Sequence, residues 1–185
     1  ICILKEKSEN EKRVALVPDV AKNLINDGFT VLMETKAGEL SNFSDEDYIS
    51  VGVQVGDFKK IILDADIVFS VKMPESEVIK SMKEHSCLIG LLNPYDNYNQ
   101  LRLISEGNIN AFSMELVPRS PRAQAMDVLS SQSNLAGYKA VVDSSSIFNR
   151  AMPMMMTAAG TIAPAKIFIM GVGVAGLQAI ATAKR

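Results

Sequence analysis

The sequence has few of the residues that bind metals, and it shows no excess of charge of one sign. It contains one histidine and two cysteines, too few to build a zinc site at any common spacing. Cys2 and Cys87 lie in apolar, strand-like runs, so we expect buried, reduced thiols rather than a disulfide. The net charge is −2 with both signs mixed along the chain, so no nucleic-acid-binding surface is predicted.

The chain also lacks a long hydrophobic run of the kind that crosses a membrane. Its longest uncharged stretch, residues 167–183, is at the short end of the spanning range, and Gly, Ala, Thr and Gln fill most of its second half. Residues 1–4 are too short for the apolar part of a signal peptide, and charged residues follow at once. These absences, with 48% apolar and 22% charged residues, predict a soluble cytoplasmic protein.

Short apolar runs alternate with helical patterns through the first two thirds of the chain. The helices are predicted to begin at Pro18, Pro74 and Tyr98, and Ser44 before an acidic turn reads as a further helix N-cap. The predicted strands cover residues 2–5, 29–34, 66–72, 87–92 and 109–114. Five strands that alternate with helices are typical of a parallel α/β sheet covered on both faces, as in a Rossmann-like domain.

A long helical pattern follows, from residue 123 to about residue 150. Its apolar positions predict a mostly buried helix that links two domains. The methionine cluster at residues 152–156 suggests a hinge or adaptable packing rather than a ligand site. We therefore predict an N-terminal α/β domain (1–120), a linking helix (121–150) and the start of a second, truncated Rossmann domain (151–185).

A glycine fingerprint near the end of the chain carries the strongest functional signal. A β-branched and aromatic run, residues 167–170, precedes Gly171-Val172-Gly173-Val174-Ala-Gly176 and an Ala-rich helical pattern. This order of strand, glycine turn and helix predicts a dinucleotide site. Gly171 would make the tight turn, Gly173 would admit the pyrophosphate, and Gly176 would let the helix pack on the preceding strand. The helix N-terminus would face the phosphates.

The fingerprint is incomplete within this sequence. The acidic residue that holds the adenine ribose is expected about 20 residues beyond the glycines, and the sequence ends at Arg185. One strand and one helix cannot bury their apolar faces alone. We therefore expect the chain to be part of a longer protein, and the piece alone to be inactive.

Several blocks resemble one family. Glu11-Lys-Arg13-Val-Ala-Leu-Val-Pro18 and Val71-Lys72-Met-Pro74 resemble alanine dehydrogenases and the NAD(H)-binding domain of proton-translocating nicotinamide nucleotide transhydrogenases. The segment from Met114 to Tyr138 is similar to the transhydrogenase alpha subunit almost residue for residue, and so is the segment from Pro153 to Gly160.

A comparison with the alanine dehydrogenases shows which of their catalytic residues this sequence has. They reduce pyruvate with an Arg near the N-terminus, a Lys after the third strand and a His after the next strand. Arg13 and Lys72 match the first two positions, whereas Asn93 follows the relevant strand and His85 precedes it, in a predicted solvated loop. Keto-acid reduction would lack its proton donor. Hydride exchange between two nicotinamides needs no proton donor.

The loop over residues 119–130 has side chains suited to a nicotinamide carboxamide. Gln124 can hydrogen-bond both the carbonyl and the amide of the nicotinamide carboxamide. Asp127 can accept a hydrogen bond from that amide or pair with Arg119. Arg119 can hold phosphate or carboxylate oxygens, and Ser130 is a small donor. The resemblance implies that these four residues line the nicotinamide end of the site. Arg119, Gln124 and Asp127 would then serve hydride transfer, with Arg122 as a further cofactor contact.

The same residues admit a purely structural interpretation. Ser120 could be a helix N-cap with Pro121 in the first turn, and Asp127 could form a salt bridge with Arg122 or Arg119. Arg13 and Lys72 could likewise be inherited carboxylate-binding residues that now serve structure or domain closure. The residues alone leave these alternatives open.

The resemblance implies a transhydrogenase component that binds NAD(H) and passes hydride to NADP⁺ on a separate component, coupled to proton translocation. It also implies a homodimer, NADP(H)-binding and membrane components as partners, and a cytoplasmic position peripheral to the inner membrane through them. The alternatives are an NAD-dependent alanine dehydrogenase-like enzyme and a non-catalytic fragment of a split gene. No metal is expected.

Overall fold

The computed structural model describes residues 1–184. The chain divides into two compact units, Ile1–Pro118 and Arg119–Arg185. The division into three functional segments, with a linking helix between two domains, stays a prediction.

The first unit is built on a six-stranded parallel sheet in the order β3-β2-β1-β4-β5-β6. All five strand pairs are parallel, which requires a crossover connection between successive strands. The strands are β1 (Cys2–Ile3), β2 (Leu32–Glu34), β3 (Gln54–Gly56), β4 (Ile67–Lys72), β5 (Cys87–Leu91) and β6 (Asn110–Ser113). The predicted α/β fold class is confirmed.

Helices cover both faces of this sheet and give it two separate cores. Cys2 belongs to one buried cluster and its neighbour Ile3 to the other, because successive strand side chains point to opposite faces. The helices are α1 (Pro18–Asn26) and α2 (Asp45–Ser50), which contribute to the Ile3 cluster, and α3 (Phe58–Ile61), α4 (Ser76–Ser81) and α5 (Tyr98–Glu106), which contribute to the Cys2 cluster.

The direction of winding reverses between β1 and β4. The chain proceeds from β1 through β2 to β3 on one side, and from β4 through β5 to β6 on the other. Side chains that follow β1 and β4 therefore meet at the carboxyl edge of the sheet, at the position where open α/β sheets bind ligands.

Most predicted elements of this unit are confirmed, with one strand missed. Helices α1 and α5 begin at Pro18 and Tyr98 as predicted, whereas α4 begins at Ser76 rather than at Pro74. Ser44 caps α2 in a reciprocal capping box with Asp47. The prediction of five strands was wrong because it missed β3, whose three residues include one apolar side chain, Val55, and end in Gly56, a residue depleted in strands.

The second unit contains two helices and a hairpin. Helix α6 (Val128–Ile147) follows a short 3₁₀ turn at Gln124–Met126. Strands β7 (Met155–Thr157) and β8 (Gly160–Ile162) pair in an antiparallel hairpin, and α7 (Val174–Lys184) is the last element.

Two expectations for this unit were wrong. Among its described residues α6 buries only Gly137, so it is an exposed helix rather than a buried one. Met155 and Met156 of the methionine segment lie in β7 of the hairpin, and the hinge stays a prediction. Residues 167–170 carry no strand assignment, and Phe168 is 86% exposed. A strand needs a hydrogen-bonding neighbour, and none of the described residues pairs with this segment.

Candidate cofactor-binding site

The glycine fingerprint forms a tight turn directly before α7. Gly171 has a φ of 103°, a left-handed conformation that side chains other than glycine rarely adopt. A Cβ added at Gly173 would meet no atom within 4 Å, so the space beside this backbone is open to a ligand. These two glycines occupy the positions that the fingerprint assigns to the turn and to the close approach of a phosphate.

Gly176 and Gly137 permit two close backbone contacts around α7. A Cβ at Gly176 would lie 2.1 Å from the carbonyl oxygen of Gly171. One at Gly137, on α6, would lie 2.1 Å from the carbonyl oxygen of Ala175. The glycines therefore hold the turn against the first residues of α7 and hold α7 against α6. The sequence had predicted that Gly176 packs against a strand, whereas its contact is the turn itself.

The other group of predicted site residues lies in the loop before α6. Asp127 is the N-cap of α6, and its carboxylate accepts from the Ser130 N–H at 2.9 Å and from the Ser130 hydroxyl at 2.6 Å. These two hydrogen bonds hold the pKa of Asp127 below its ordinary value, and the bond from the Ser130 hydroxyl has the larger effect. Asp127 and Ser130 are thus brought together at the start of α6.

Gln124, Arg119 and Arg122 are exposed in the same loop. Gln124 begins the 3₁₀ turn that leads to Asp127. The charge of Arg119 contributes to the lowered pKa of Asp127, but within the described residues no ion pair joins Asp127 to either arginine. The structural alternative was therefore right about a helix cap and wrong about its residues, because Asp127 rather than Ser120 caps the helix.

A second cluster of charged residues lies at the carboxyl edge of the six-stranded sheet. The Glu11 carboxylate accepts from Arg13 Nε at 2.8 Å and from a terminal guanidinium nitrogen at 2.8 Å, and Lys72 Nζ lies 3.6 Å from it. The hydrogen bond from Arg13 is the main cause that lowers the pKa of Glu11 to about 2. Arg13 and Lys72, which the sequence had linked only by resemblance, are held by one carboxylate.

Glu6 fixes the end of β4 beside this cluster. Its carboxylate accepts from the N–H groups of Val71 at 2.5 Å and of Lys72 at 3.3 Å. Burial raises the pKa of Glu6, against the effect of these two hydrogen bonds. Residues after β1 and at the end of β4, including Glu6 and Lys72, line a cavity of about 100 Å³ where the winding reverses.

The position after β5 contains no histidine. His85 lies in the turn before β5 with its side chain 79% exposed, as predicted. The loop after β5 is held by Glu115, whose carboxylate accepts from the N–H groups of Leu92 and Asn93. Sequence reasoning missed Glu6, Glu11 and Glu115, because acidic residues in mixed-charge loops resemble ordinary solvated ones.

None of the helices described over residues 1–184 is long and apolar enough to cross a membrane. A doubly wound sheet is typical of ligand-binding α/β proteins, and a glycine turn that begins a helix is typical of those that bind dinucleotides. Within that class the chain belongs to the alanine dehydrogenase/PNT family. Residues 2–136 match the model of the family's N-terminal domain, and residues 140–185 match that of its C-terminal domain.

Individual relatives agree with this assignment. The chain is 47% identical over 191 aligned residues to an NAD(P) transhydrogenase alpha subunit chain of Rickettsia prowazekii, covering 100% of this chain and 50% of the relative. It matches the crystal structure of a Sinorhizobium meliloti transhydrogenase with a TM-score of 0.95 and 45% identity, covering 99% of this chain and 55% of that one. The match to an L-alanine dehydrogenase structure has a TM-score of 0.83 and 26% identity, over 98% of this chain and 51% of that one. The chain spans about half the length of the curated relatives it matches.

Proposed function

We propose that this chain belongs to the NAD(H)-binding subunit of a transhydrogenase, which exchanges hydride with NADP(H) held by another component. The observation that carries the proposal is the turn at Gly171, open at Gly173 and tightly closed at Gly176. The 47% identity to a transhydrogenase alpha subunit favours this activity over keto-acid reduction.

The proposed roles of the site residues follow from their placement. The Gly171–Gly176 turn, with Val172 and Val174, would bind the pyrophosphate at the start of α7. Gln124 and Arg119, which are exposed, would orient the nicotinamide and its neighbouring oxygens, with Arg122 as a further contact. Asp127 and Ser130 would hold this loop on α6 and offer remaining acceptor and donor capacity. When bound, NADH supplies the hydride, and the protein's task is alignment.

The proposed partners follow from the subunit names of the relatives and from exposed apolar side chains in the second unit. Tyr138 and Ile147 of α6 are 51% and 78% exposed, Phe148 at its C-cap is 41% exposed, and Met156 of the hairpin is 84% exposed. Such a surface is typical of one that is covered in a larger assembly. We propose that the rest of the protein and a second copy cover it. NADP(H)-binding and membrane components would complete the enzyme at the inner membrane.

An alanine dehydrogenase-like activity is the second candidate. Arg13 and Lys72, which match two catalytic positions of alanine dehydrogenases, lie close together and both contact the Glu11 carboxylate. The full-length protein should be mixed with an NADP(H)-binding transhydrogenase component, and reduction of an NADP⁺ analogue by NADH should be followed. Reduction without any pyruvate- and ammonia-dependent NADH oxidation is the expected result. The reverse outcome would establish the dehydrogenase, and inactivity in both assays would favour a non-catalytic fragment.

A further inference from the structure

The side chain of Glu115 joins the carboxyl ends of β5 and β6. The two strands pair in parallel as far as Gly90 and Ser113, and the chain turns away from the sheet soon after each of them. Glu115 lies in the 3₁₀ turn directly after β6. Its carboxylate accepts from the N–H groups of Leu92, at 3.2 Å, and of Asn93, the two residues that follow β5. Glu115 therefore bridges two segments that no longer pair as strands.

The loop after β5 depends on this carboxylate for two of its hydrogen bonds. Leu92 is 1% exposed, so water is a poor substitute as the acceptor for its N–H. Asn93 has a φ of 42°, a left-handed conformation that Asn tolerates better than most residues. The Asn97 side-chain amide donates to the carbonyl oxygens of Leu92 and Asn93 at 2.9 and 3.1 Å. The carbonyl groups of the loop are thus held by Asn97 and its N–H groups by Glu115.

Both oxygens of the Glu115 carboxylate take part in the bridge. Oε2 accepts from Leu92 and Oε1 from Asn93. Burial, which would raise the pKa of Glu115, is outweighed by the hydrogen bonds that the carboxylate accepts, so the pKa lies below its ordinary value. The side chain is therefore charged in the neutral range, and hydrogen bonds to a charged acceptor are the stronger kind.

The bridge lies immediately before the loop that is proposed to orient the nicotinamide. Only three residues separate Glu115 from Arg119. The Val117 N–H closes the 3₁₀ turn, and the ring of Pro118 fixes its own φ, so the chain has little freedom over this distance. The far end of the loop is held separately, where Asp127 caps α6. Glu115 therefore fixes the point from which the loop starts.

We propose that Glu115 is a positioning residue for hydride transfer, which fixes the start of the Arg119–Ser130 loop by binding the preceding turn to the end of β5. It acts through the position of the loop and not by contact with the cofactor. The inference rests on the proposed function, because the loop orients a nicotinamide only in a transhydrogenase. A loop fixed at its start holds the carboxamide in one orientation, and hydride transfer is sensitive to that orientation.

Glu115→Gln tests the inference in the full-length protein, mixed with an NADP(H)-binding transhydrogenase component. The amide keeps the volume of the side chain and one acceptor oxygen, so one of the two N–H groups loses its acceptor. Glu84→Gln is the matched control. The Glu84 carboxylate accepts from the Asn108 side-chain amide at 2.7 Å and so joins the segments that precede the same two strands. Amide hydrogen exchange at Leu92 and Asn93 should become faster in Glu115→Gln and stay unchanged in Glu84→Gln.

The rate of hydride transfer per bound NADH distinguishes positioning from folding. We expect Glu115→Gln to slow single-turnover transfer at saturating NADH roughly tenfold or more, since a misplacement near 1 Å can cost on the order of 10²-fold in rate. The dissociation constant for NADH should stay close to that of the wild type, because the glycine turn is unchanged. A residue that only stabilised the fold would lower the rate and the number of NADH sites together. The rate per bound NADH would then not change.

A second variant and two outcomes complete the test. Glu115→Ala removes both acceptors and should slow transfer at least as much as Glu115→Gln, which decides the matter alone if the alanine variant does not fold. A wild-type rate per bound NADH in Glu115→Gln, or unchanged amide exchange at Leu92 and Asn93, overturns the inference. A wild type that transfers no hydride overturns the proposed function and this inference with it, and that failure is seen before any variant is compared.

Discussion

A Cβ atom at Gly176 would lie 2.1 Å from the carbonyl oxygen of Gly171. This distance is far inside van der Waals contact, so the turn and the start of α7 leave no room for a side chain at position 176. Gly173, between them, has no atom within 4 Å of its Cβ position. The three glycines of one fingerprint therefore have different physical roles, which single substitutions can separate.

Gly176→Ala should destabilise the turn, whereas Gly173→Ala should leave it folded. Overpacking of a tight contact typically costs about 1–3 kcal/mol, and we expect it to appear as faster amide hydrogen exchange over α7. Gly173→Ala should retain wild-type exchange and, in the full-length protein, weaken NADH binding because the methyl group occupies the open face. Equal exchange rates in the two variants would contradict the assigned roles.

Replacement of Asp127 should separate a capping role from a cofactor role. Asp127→Ala removes the acceptor for the Ser130 N–H and hydroxyl, so we expect a lower free energy of unfolding. Asp127→Asn keeps one acceptor oxygen and is an equally good N-cap residue, so its stability should be nearly unchanged. Denaturant unfolding measures both. If Asp127→Asn also leaves hydride transfer unchanged, Asp127 has only the capping role.

The Glu11 cluster should make stability depend on pH in acid. The pKa of Glu11 is about 2 in the folded chain, against an ordinary value of 4.5, so between these values the unfolded state binds more protons. Its contribution is present above about pH 4.5 and is lost as the pH falls towards 2. Wild type should exceed Glu11→Gln by about 2 kcal/mol in unfolding free energy at neutral pH, and the difference should shrink through this window. A difference that stays constant with pH would rule out the ion pair as its cause.

The 185-residue chain should bind NADH weakly or not at all. Gly171, Gly173 and Gly176 serve the pyrophosphate, and the residue for the ribose hydroxyl is expected about 20 residues further on, beyond Arg185. The full-length protein should select NAD(H) over NADP(H). Calorimetric titration measures both. A low-micromolar affinity of the short chain, about −8 kcal/mol or stronger, would show that these residues form a sufficient site.

The elements that the sequence predicted well are those whose signals are local. Helix α5 has an apolar stripe and ends at Glu106, directly before its C-cap Gly107, so its bounds follow from periodicity and a stop residue. The strand expected at residues 167–170 failed for the opposite reason, because a strand exists only with a partner and composition does not reveal one. Long-range contacts explain the other misses. Nothing in the spacing of Glu11 and Lys72 indicates that they meet, since their 3.6 Å contact depends on the sheet order.

The exposed loop before α6 carries the most direct prediction about catalysis. Gln124 begins the 3₁₀ turn that leads to the Asp127 cap, so its side chain is exposed on a backbone fixed from the α6 side. In the full-length enzyme, Gln124→Asn should slow hydride transfer far more than it weakens NADH binding. The pyrophosphate contacts at the glycine turn are unaffected. The Asn side chain is one methylene shorter, however, so it no longer holds the nicotinamide carboxamide, which is then free to rotate.

The expected size of the effect follows from the geometry that hydride transfer requires. Donor and acceptor carbons must approach to roughly 3–3.5 Å with aligned faces, and a misplacement near 1 Å can cost on the order of 10²-fold in rate. Stopped-flow transhydrogenation beside NADH titration separates rate from affinity. Gln100→Asn on α5 is the matched control, because it makes the same chemical change away from the loop. A wild-type transfer rate in Gln124→Asn would assign this loop to the support of α6 alone.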